Sequence, residues 1–444
     1  MSGMLQLEGL CKLKNLQKLD LSDNEFTGKF PPCIGNLTSL RYLDISDNQL
    51  QVNLGQPNFL ANLTSLEDVL LSNIQLQGTF HLASLSNHSN LKTLELADSR
   101  NNLVVETEDP IATPLYQLER IVLSMCNLNK DNGIIPSFLS SQYALNWIDL
   151  SHNNLRGSFP TWLLENKTVL QVVDLQNNSF NGPLVLPNHV NTTDMSALDL
   201  STNELSEEIP TNIGVLLPNL IYLNLSRNHL RGSIPSSFDH FSNLEALDLS
   251  NNTLSGEVSN VFGNSSLYLL DISRNMFRGR LPLQNSNMDS LSHLVLSGKK
   301  KGWDLRVLSA EENLLEGYIP TSLCTAPRLK VLNLSKNRLS GSVPHCLFNL
   351  TELRYLRLSH NALTGSFPIG LSNSHNALTT LDLGNNHLSG ELPGWIGKAL
   401  RGMRILLLKG NRLGGPIPNQ VCQLKRLRIL DLSQISYSEK FQLA

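Results

Sequence analysis

Aspartate recurs at one position of a repeated pattern, between two leucines, where neighbouring carboxylates could do acid–base chemistry. The residues are Asp20, Asp44, Asp149, Asp174, Asp199, Asp248, Asp271 and Asp382. General acid–base catalysis needs two carboxylates whose different environments move their pKa values apart around one substrate. A column that repeats along the chain has no such asymmetry. We therefore interpret these aspartates as a surface feature of the repeat and predict no catalytic residue.

Motifs for the common kinds of catalytic or cofactor site are missing from the sequence. There is no HExxH, no CxxC pair, no GxSxG, no GxxxxGK(S/T) and no GxGxxG. These are signatures of zinc, serine-hydrolase and phosphate-binding sites. A formal net charge of −3 also gives no reason to expect nucleic acid as a partner. We expect a protein that is not an enzyme and that holds no metal or cofactor.

Six cysteines include two pairs with the same spacing of 22 residues. The pairs are Cys11 with Cys33 and Cys324 with Cys346. Each pair brackets one complete unit of the repeated pattern, so its members would lie on consecutive turns of a stack. In an oxidising compartment we expect two disulfides, and the alternative is free thiols used as small apolar side chains. Cys422 shares a column with Cys11 and Cys324 but has no partner, and Cys126 is predicted to be a buried thiol.

The repeated pattern is LxxLxLSxN, as in LQKLDLSDN (16–24), LIYLNLSRN (220–228) and LKVLNLSKN (329–337). Its ninth position falls at 24, 48, 74, 99, 126, 153, 178, 203, 228, 252, 275, 299, 313, 337, 361, 386, 411 and 435. Alternating leucines indicate a short strand with one buried face, and stacked strands of this kind form a parallel sheet. A buried asparagine at the ninth position can bond backbone groups of adjacent turns. This is a leucine-rich repeat, and it predicts an α/β solenoid of about 18 repeats with a parallel, concave sheet.

The repeats leave no sequence for a second domain, so we predict a single domain over 1–444. Irregular turns are expected at 97–135 and at 297–313, where two ninth positions, 299 and 313, are only 14 residues apart. We expect one turn there to be distorted by the loss of about ten residues. The last repeat, 427–444, is incomplete because Ile435 stands where asparagine was due.

After the asparagine, most turns continue as xLxGxIP, for example NNLRGSFP (153–160) and NHLRGSIP (228–235). Here the chain resembles the plant-specific class of leucine-rich repeats. The resemblance implies a superhelix with a second short strand in each turn and 3₁₀ turns on the convex side. Gly157, Gly232, Gly341 and Gly365 of this segment suit a tight bend.

Less regular phrases, such as SLSNHSNLKTLEL and LERIVLSMCNLNK, resemble the extracellular domain of plant leucine-rich-repeat receptor-like proteins. The resemblance implies a ligand-recognition ectodomain in defence or developmental signalling that acts with a partner receptor kinase. Its ligand would be a peptide, a protein or an oligosaccharide, at the plasma membrane or in the apoplast. The chain shows no signal peptide, terminal cap, transmembrane segment or kinase, so we expect a truncated ectodomain whose only link to a membrane lies in a segment absent from this sequence. The alternative is a soluble inhibitor resembling the polygalacturonase-inhibiting proteins.

Candidate binding residues are those on the concave face that depart from the average of the repeat. They are Tyr42, Arg120, Trp147, His152, Tyr222, Arg227, Tyr355, Arg357 and His360. Amphipathic aromatics and cations of this kind are common in binding hot spots, although scattered surface side chains can also bind nothing. Tyr355, Arg357 and His360 form the densest group.

Asn-x-Ser/Thr motifs offer glycosylation sites if the chain enters the secretory pathway. The expected sites are Asn36, Asn62, Asn87, Asn166, Asn177, Asn191, Asn264 and Asn349. Asn224 and Asn333 also match the motif but lie on the predicted strands of the sheet. A glycan there would block binding, so we assign these two to the repeat consensus.

Overall fold

The computed structural model describes residues 2–4, 7–55, 58–97, 102–108, 114–165, 167–187, 194–258, 266–281, 304–367 and 377–435. The chain divides into two compact units, the first formed by 1–210 and 216–228 and the second by 211–215 and 229–444. A single domain over 1–444 stays a prediction.

Short parallel strands form the main sheet of the first unit, at the position where the pattern LxxLxL predicts them. They are Lys18–Asp20, Tyr42–Asp44, Asp68–Leu70, Thr93–Glu95, Arg120–Val122, Trp147–Asp149, Val172–Asp174, Ala197–Asp199 and Tyr222–Asn224. Each strand pairs with the next in register, first residue to first residue. The middle residue of every strand is buried, which leaves its two neighbours on the opposite face.

A second strand follows the main strand in most turns of the first unit, and a 3₁₀ helix follows in several. The second strands are Ser2–Met4, Glu25–Lys29, Gln49–Asn53, Gln75–His81, Leu103–Glu106, Arg156–Gly157, Ser179–Pro183 and Glu204–Glu208. The 3₁₀ helices are Leu7–Lys12, Pro32–Asn36, Phe59–Asn62, Leu82–Leu85, Ser137–Ser141 and Thr161–Leu163. These elements confirm the plant-type repeat that the xLxGxIP segments indicate.

The second unit repeats this arrangement. Its main strands are Ala246–Asp248, Leu269–Asp271, Val307–Ser309, Val331–Asn333, Tyr355–Arg357, Thr380–Asp382, Ile405–Leu407 and Ile429–Asp431. Its second strands are His229–Gly232, Thr253–Gly256, Met276–Arg280, Leu314–Tyr318, Arg338–Ser342, Ala362–Thr364, Ser389–Glu391 and Arg412–Gly414. Its 3₁₀ helices are Ser236–His240, Thr321–Thr325, His345–Asn349 and Asn419–Gln423. Trp395–Ala399 is a single-turn α-helix, and three of the four residues of another, Ile213–Leu216, also belong to this unit.

The asparagine at the ninth position binds the turns of the stack together. In Asn203, the side-chain amide donates to the carbonyls of Leu175 in the preceding turn and of Leu200 in its own turn, at 3.0 and 3.1 Å. The amide oxygen accepts the backbone N–H of Phe180 at 3.0 Å. Asn153, Asn228, Asn313, Asn386 and Asn411 also donate to a carbonyl of the preceding turn. The predicted scaffold role of the asparagine is confirmed.

The described strands on either side of one predicted repeat, the one whose ninth position is Lys299, pair with each other. The strand Leu269–Asp271 pairs directly with Val307–Ser309, and Asn313 donates to the carbonyl of Ile272. The two described strands are therefore direct neighbours in the sheet. The stretch LVLSGK matches the strand pattern by sequence alone, and its ninth position, Lys299, lies outside the described residues. Ser99, another predicted ninth position, also lies outside them.

Two disulfides join consecutive turns at their 3₁₀ helices. Cys11 bonds Cys33 and Cys324 bonds Cys346, each with a Cα–Cα distance of 5.7 Å. This distance lies within the range that a disulfide can span. Cys126 is a buried thiol at a ninth position, where it donates to the carbonyls of Leu96 and Ser124 in place of an asparagine amide. Cys422 is exposed.

None of the helices in the described part of the chain is long and apolar enough to cross a membrane.

Candidate ligand-binding site

The nine predicted binding residues fall at three positions of the repeat. Tyr42, Arg120, Trp147, Tyr222 and Tyr355 begin a main strand, Arg357 ends one, and His152, Arg227 and His360 lie in the turn that follows. The turn residues have φ values of 59°, 53° and 56°, a left-handed conformation that this turn imposes on most repeats. All nine therefore belong to the outward face of a main sheet or its rim, six in the first unit and three in the second. Their role in binding stays a prediction.

Arg120 and Trp147 form the most closely packed contact among the predicted residues. Parallel pairing places them side by side, and the guanidinium lies 4.1 Å from the centre of the indole ring. Glu95, on the strand before, accepts a hydrogen bond from Arg120 Nε. The indole N–H of Trp147 is buried and has no hydrogen-bond partner in the part of the chain that the structure describes. This group offers a flat aromatic surface and a fixed cation, both suited to stacking against a ligand.

Tyr222 belongs to a hydrogen-bonded group on the last main strand of the first unit and the strand before it. Its hydroxyl donates to Asp199 Oδ2 at 2.8 Å, and the Asn224 amide donates to the same oxygen at 3.0 Å. Asp199 is 7% exposed, so the half-buried side chains of Tyr222 and Asn224 are the members of this group that a polar ligand can contact. Sequence reasoning missed Asp199 and Asn224 as members of this group, although register alone places them beside Tyr222.

Asp149, Asp174 and Asp199 stand side by side on adjacent strands of the same sheet. Burial, together with the negative charges of Asp149 and Asp199, raises the pKa of Asp174 to about 7, against hydrogen bonds from Gln176 that lower it. The carboxylates differ in environment, but they are held by Ser151, Gln176 and Ser201 in the following turns. The described residues contain no group of three or more side chains arranged to hold a metal ion.

Tyr42 interacts mainly with side chains of its own sheet. Its hydroxyl donates to Asp44 at 3.1 Å, and Lys18 Nζ lies 4.2 Å from the ring centre. Burial, together with the negative charge of Asp44, raises the pKa of Tyr42 to about 12. Tyr42 is thus already bonded within the sheet, which makes it the weakest candidate among the aromatics.

The two histidines occupy equivalent turns and make equivalent contacts. His152 Nδ1 lies 2.7 Å from the amide nitrogen of Asn177, and His360 Nε2 lies 2.9 Å from that of Asn385. Each contact links consecutive turns along the rim of the sheet. The histidines consequently have a structural partner as well as an exposed or half-exposed ring edge.

Tyr355 and Arg357 lie on one main strand of the second unit and are both exposed, with 41% of the Tyr355 surface accessible. Register places Val331 and Thr380 on either side of Tyr355, and Asn333 and Asp382 on either side of Arg357. Arg357 makes no ion pair with any residue that the structure describes. This strand therefore presents an accessible aromatic ring beside an unpaired cation.

Four of the predicted glycosylation sites are exposed at the end of a 3₁₀ helix or just after it, namely Asn36, Asn62, Asn87 and Asn349. Asn166, Asn191 and Asn264 lie outside the described residues. Asn177 is exposed in the turn beside His152. The amides of Asn224 and Asn333 bond neighbouring side chains on the sheets, consistent with their assignment to the scaffold.

Comparison with known families identifies leucine-rich repeats in both units. One leucine-rich-repeat model matches 8–50, 193–254 and 304–363, and a second matches 39–63, 144–165 and 377–399. Receptor-like protein 1 of Arabidopsis thaliana is 43% identical over 164 residues, which is 37% of this chain and 15% of that protein. Cuscuta receptor 1 of Solanum lycopersicum is 38% identical over 38% of this chain and 15% of that protein. The matched segments therefore span a small part of each relative.

Solved structures of plant receptor ectodomains are similar in fold. The Arabidopsis receptor kinase HAESA ectodomain, bound to an extended IDA peptide hormone, gives a TM-score of 0.75 at 27% identity and covers 98% of this chain and 77% of its own. A TDR receptor gives 0.73 at 25% identity, with coverage of 98% and 84%. Both the repeat and the relatives place this chain among the plant leucine-rich-repeat receptor-like proteins.

Proposed function

We propose that this chain is a non-enzymatic, extracellular ligand-recognition region that signals through a partner receptor kinase in defence or development. Its main strands pair in register along each sheet, and a surface that is ordered before binding loses little conformational entropy on binding. Support comes from similar structures. HAESA has been solved with the peptide hormone IDA and the co-receptor SERK1, and PEPR1 with AtPEP1. For this chain we expect a peptide, protein or oligosaccharide ligand and a co-receptor kinase.

The observation that carries the proposal is the group formed by Glu95, Arg120 and Trp147. A Glu–Arg ion pair fixes the guanidinium over the indole, and 36% of the Arg120 side-chain surface stays accessible. The Trp147 side chain is half-buried but its N–H is fully buried, so a ligand would contact the ring and the guanidinium rather than the N–H. Aromatic and arginine side chains held in place in this way are common in binding hot spots.

A test is to measure thermal stabilisation of the purified chain by a panel of secreted plant and microbial peptides and cell-wall oligosaccharides. We expect a saturable rise in melting temperature with one member, and its loss in the Trp147→Ala variant. The matched control is Tyr143→Ala, because Tyr143 is 58% exposed and lies outside the main strands. Equal stabilisation of both variants would exclude the Trp147 group from the binding site. Chemical conversion of the bound member, detected by mass spectrometry, would contradict the non-enzymatic role.

A further inference from the structure

The residue just before each main strand forms a column of its own, which we call the edge column. In the second unit it consists of Glu245, Tyr268, Arg306, Lys330, Arg354, Thr379, Arg404 and Arg428. The backbone N–H of each member from Tyr268 onward donates to the carbonyl of the member before it at 2.8 to 2.9 Å. The members are therefore direct neighbours, about 4.8 Å apart along the sheet.

Five of the last six members of this column are cations, and none is an anion. Arg306 pairs with Asp304 at 3.4 Å, and Lys330 pairs only distantly with Glu352, at 3.9 Å. Arg354, Arg404 and Arg428 are exposed and make no ion pair in the described part of the chain. The acidic side chains at the strand ends, Asp382 and Asp431, are hydrogen-bonded to Ser359 and Ser433. This edge of the sheet therefore carries uncompensated positive charge in a chain whose net charge is −3.

The first unit shows that the repeat does not require cations at this position. Its edge column consists of Gln17, Arg41, Glu67, Lys92, Glu119, Asn146, Gln171, Ser196 and Ile221. The backbone bonds are the same, but Glu67 lies between two cations and pairs with both, Arg41 at 3.5 Å and Lys92 at 3.4 Å. Alternating signs stabilise adjacent strands, whereas like charges side by side destabilise them. The run of cations in the second unit is thus unfavourable for the stack alone.

We propose that the edge column of the second unit binds a linear anionic polysaccharide with one carboxylate on every sugar. The proposal rests on the extracellular recognition function proposed above and names a ligand class for a separate surface. A polymer with one charge per ring can place successive carboxylates near successive strands. In an extended peptide, side chains on one face repeat about every 6.6 Å, which does not match the spacing of about 4.8 Å between members of the column. Tyr268, with the Arg306 guanidinium 5.8 Å from its ring centre, adds an aromatic surface on which a sugar ring can pack.

The probe for this test is an oligomer of polygalacturonate, and its neutral match is the same oligomer with its carboxylates methylated. We expect saturable binding of the acidic oligomer that weakens with added salt, and no binding of the methyl ester. The double variant Arg354→Gln/Arg404→Gln should bind about ten-fold more weakly or worse. The matched control, Arg41→Gln/Lys92→Gln in the first unit, should bind like the wild type.

Thermal unfolding gives a second readout that separates loss of a site from loss of the fold. Because the double variant relieves repulsion between neighbouring strands, its melting temperature should equal or exceed that of the wild type. Unchanged affinity in the double variant, equal binding of the methyl ester, or tighter binding of poly-glutamate would each overturn the proposal. If any of these results is obtained while the Trp147-dependent ligand still binds, the polysaccharide site at the edge column is ruled out and the proposed recognition function is unaffected.

Discussion

Replacing Asn228 by leucine tests how the first unit is held together. The Asn228 amide donates to the carbonyl of Leu200 in the preceding turn at 2.9 Å, and to those of Leu225 and Ser226 at 3.2 and 3.1 Å. Its oxygen accepts the backbone N–H of Leu205 at 3.0 Å. The side chain is 5% exposed, so water cannot replace these partners without opening the stack.

The expected loss of stability depends on the backbone groups that lose their hydrogen bond to Asn228. Leucine has a similar volume but neither donor nor acceptor, so the buried N–H of Leu205 loses its partner outright. One buried unsatisfied backbone group costs about 1–3 kcal/mol. The carbonyls lose less because each oxygen has a second lone pair. We therefore expect a loss of about 2 kcal/mol in the free energy of unfolding, roughly a thirty-fold change in the equilibrium constant.

Denaturant unfolding followed by circular dichroism measures the total loss, and amide hydrogen exchange locates it. In Asn228→Leu the Leu205 amide should lose protection more than other amides of the first unit. Asn228→Cys is the matched control, because Cys126 at the equivalent position donates to two carbonyls of this same kind. The cysteine variant should keep part of the donor function and lose less stability. An unchanged denaturation midpoint together with unchanged protection of Leu205 would refute the scaffold role of the asparagine.

Three further predictions follow from local contacts. Alkylation of the denatured, unreduced protein should label Cys126 and Cys422 alone, and labelling of all six cysteines would contradict the disulfides. Because the folded-state pKa of Asp174 is raised from 3.8 to about 7, its protonated form favours folding. Relative to Asp174→Asn, the wild type should lose stability as the pH rises from about 4 to above 7 in a melting series, and parallel pH profiles would refute this. Gly341→Ala should destabilise the second unit by more than about 1 kcal/mol, since φ is 74° and a Cβ would overlap the Tyr318 ring. Adding Tyr318→Ala should recover the part due to overlap, which a double-mutant cycle of unfolding free energies measures.

Much of the fold can be predicted from the sequence because every turn must bury its leucines and provide hydrogen-bond partners for its backbone groups. Leucine spacing predicts the main strands, the ninth asparagine predicts the bonds between turns, and the cysteine spacing predicts both disulfides. Which strands are neighbours is harder to predict from the pattern. The sequence has a strand-like segment ending at Lys299 between two strands that pair directly with each other, Leu269–Asp271 and Val307–Ser309.

The candidate site is less predictable because binding depends on contacts between turns rather than on the pattern within a turn. Single positions identify Arg120 and Trp147, but the contact between them, with Glu95 on the far side, depends on the register of three strands. The residues of the edge column can be identified by aligning the repeats. Their charge balance depends on contacts: Glu67 pairs with both of its neighbours in the first unit. In the second unit, Arg354 and Arg404 have no ionic partner among the described residues.

The disulfides also determine how each unit responds to mechanical tension. A stack of repeats pulled along its axis separates at one interface between turns, because each turn contacts mainly its neighbours. Cys11–Cys33 and Cys324–Cys346 each cross such an interface covalently, at the 3₁₀ helices opposite the main sheet. Under tension these interfaces can hinge open on the sheet side but cannot part. Reduction would turn them into ordinary interfaces, so single-molecule pulling with and without reductant should reveal two bonded turn pairs that move as blocks.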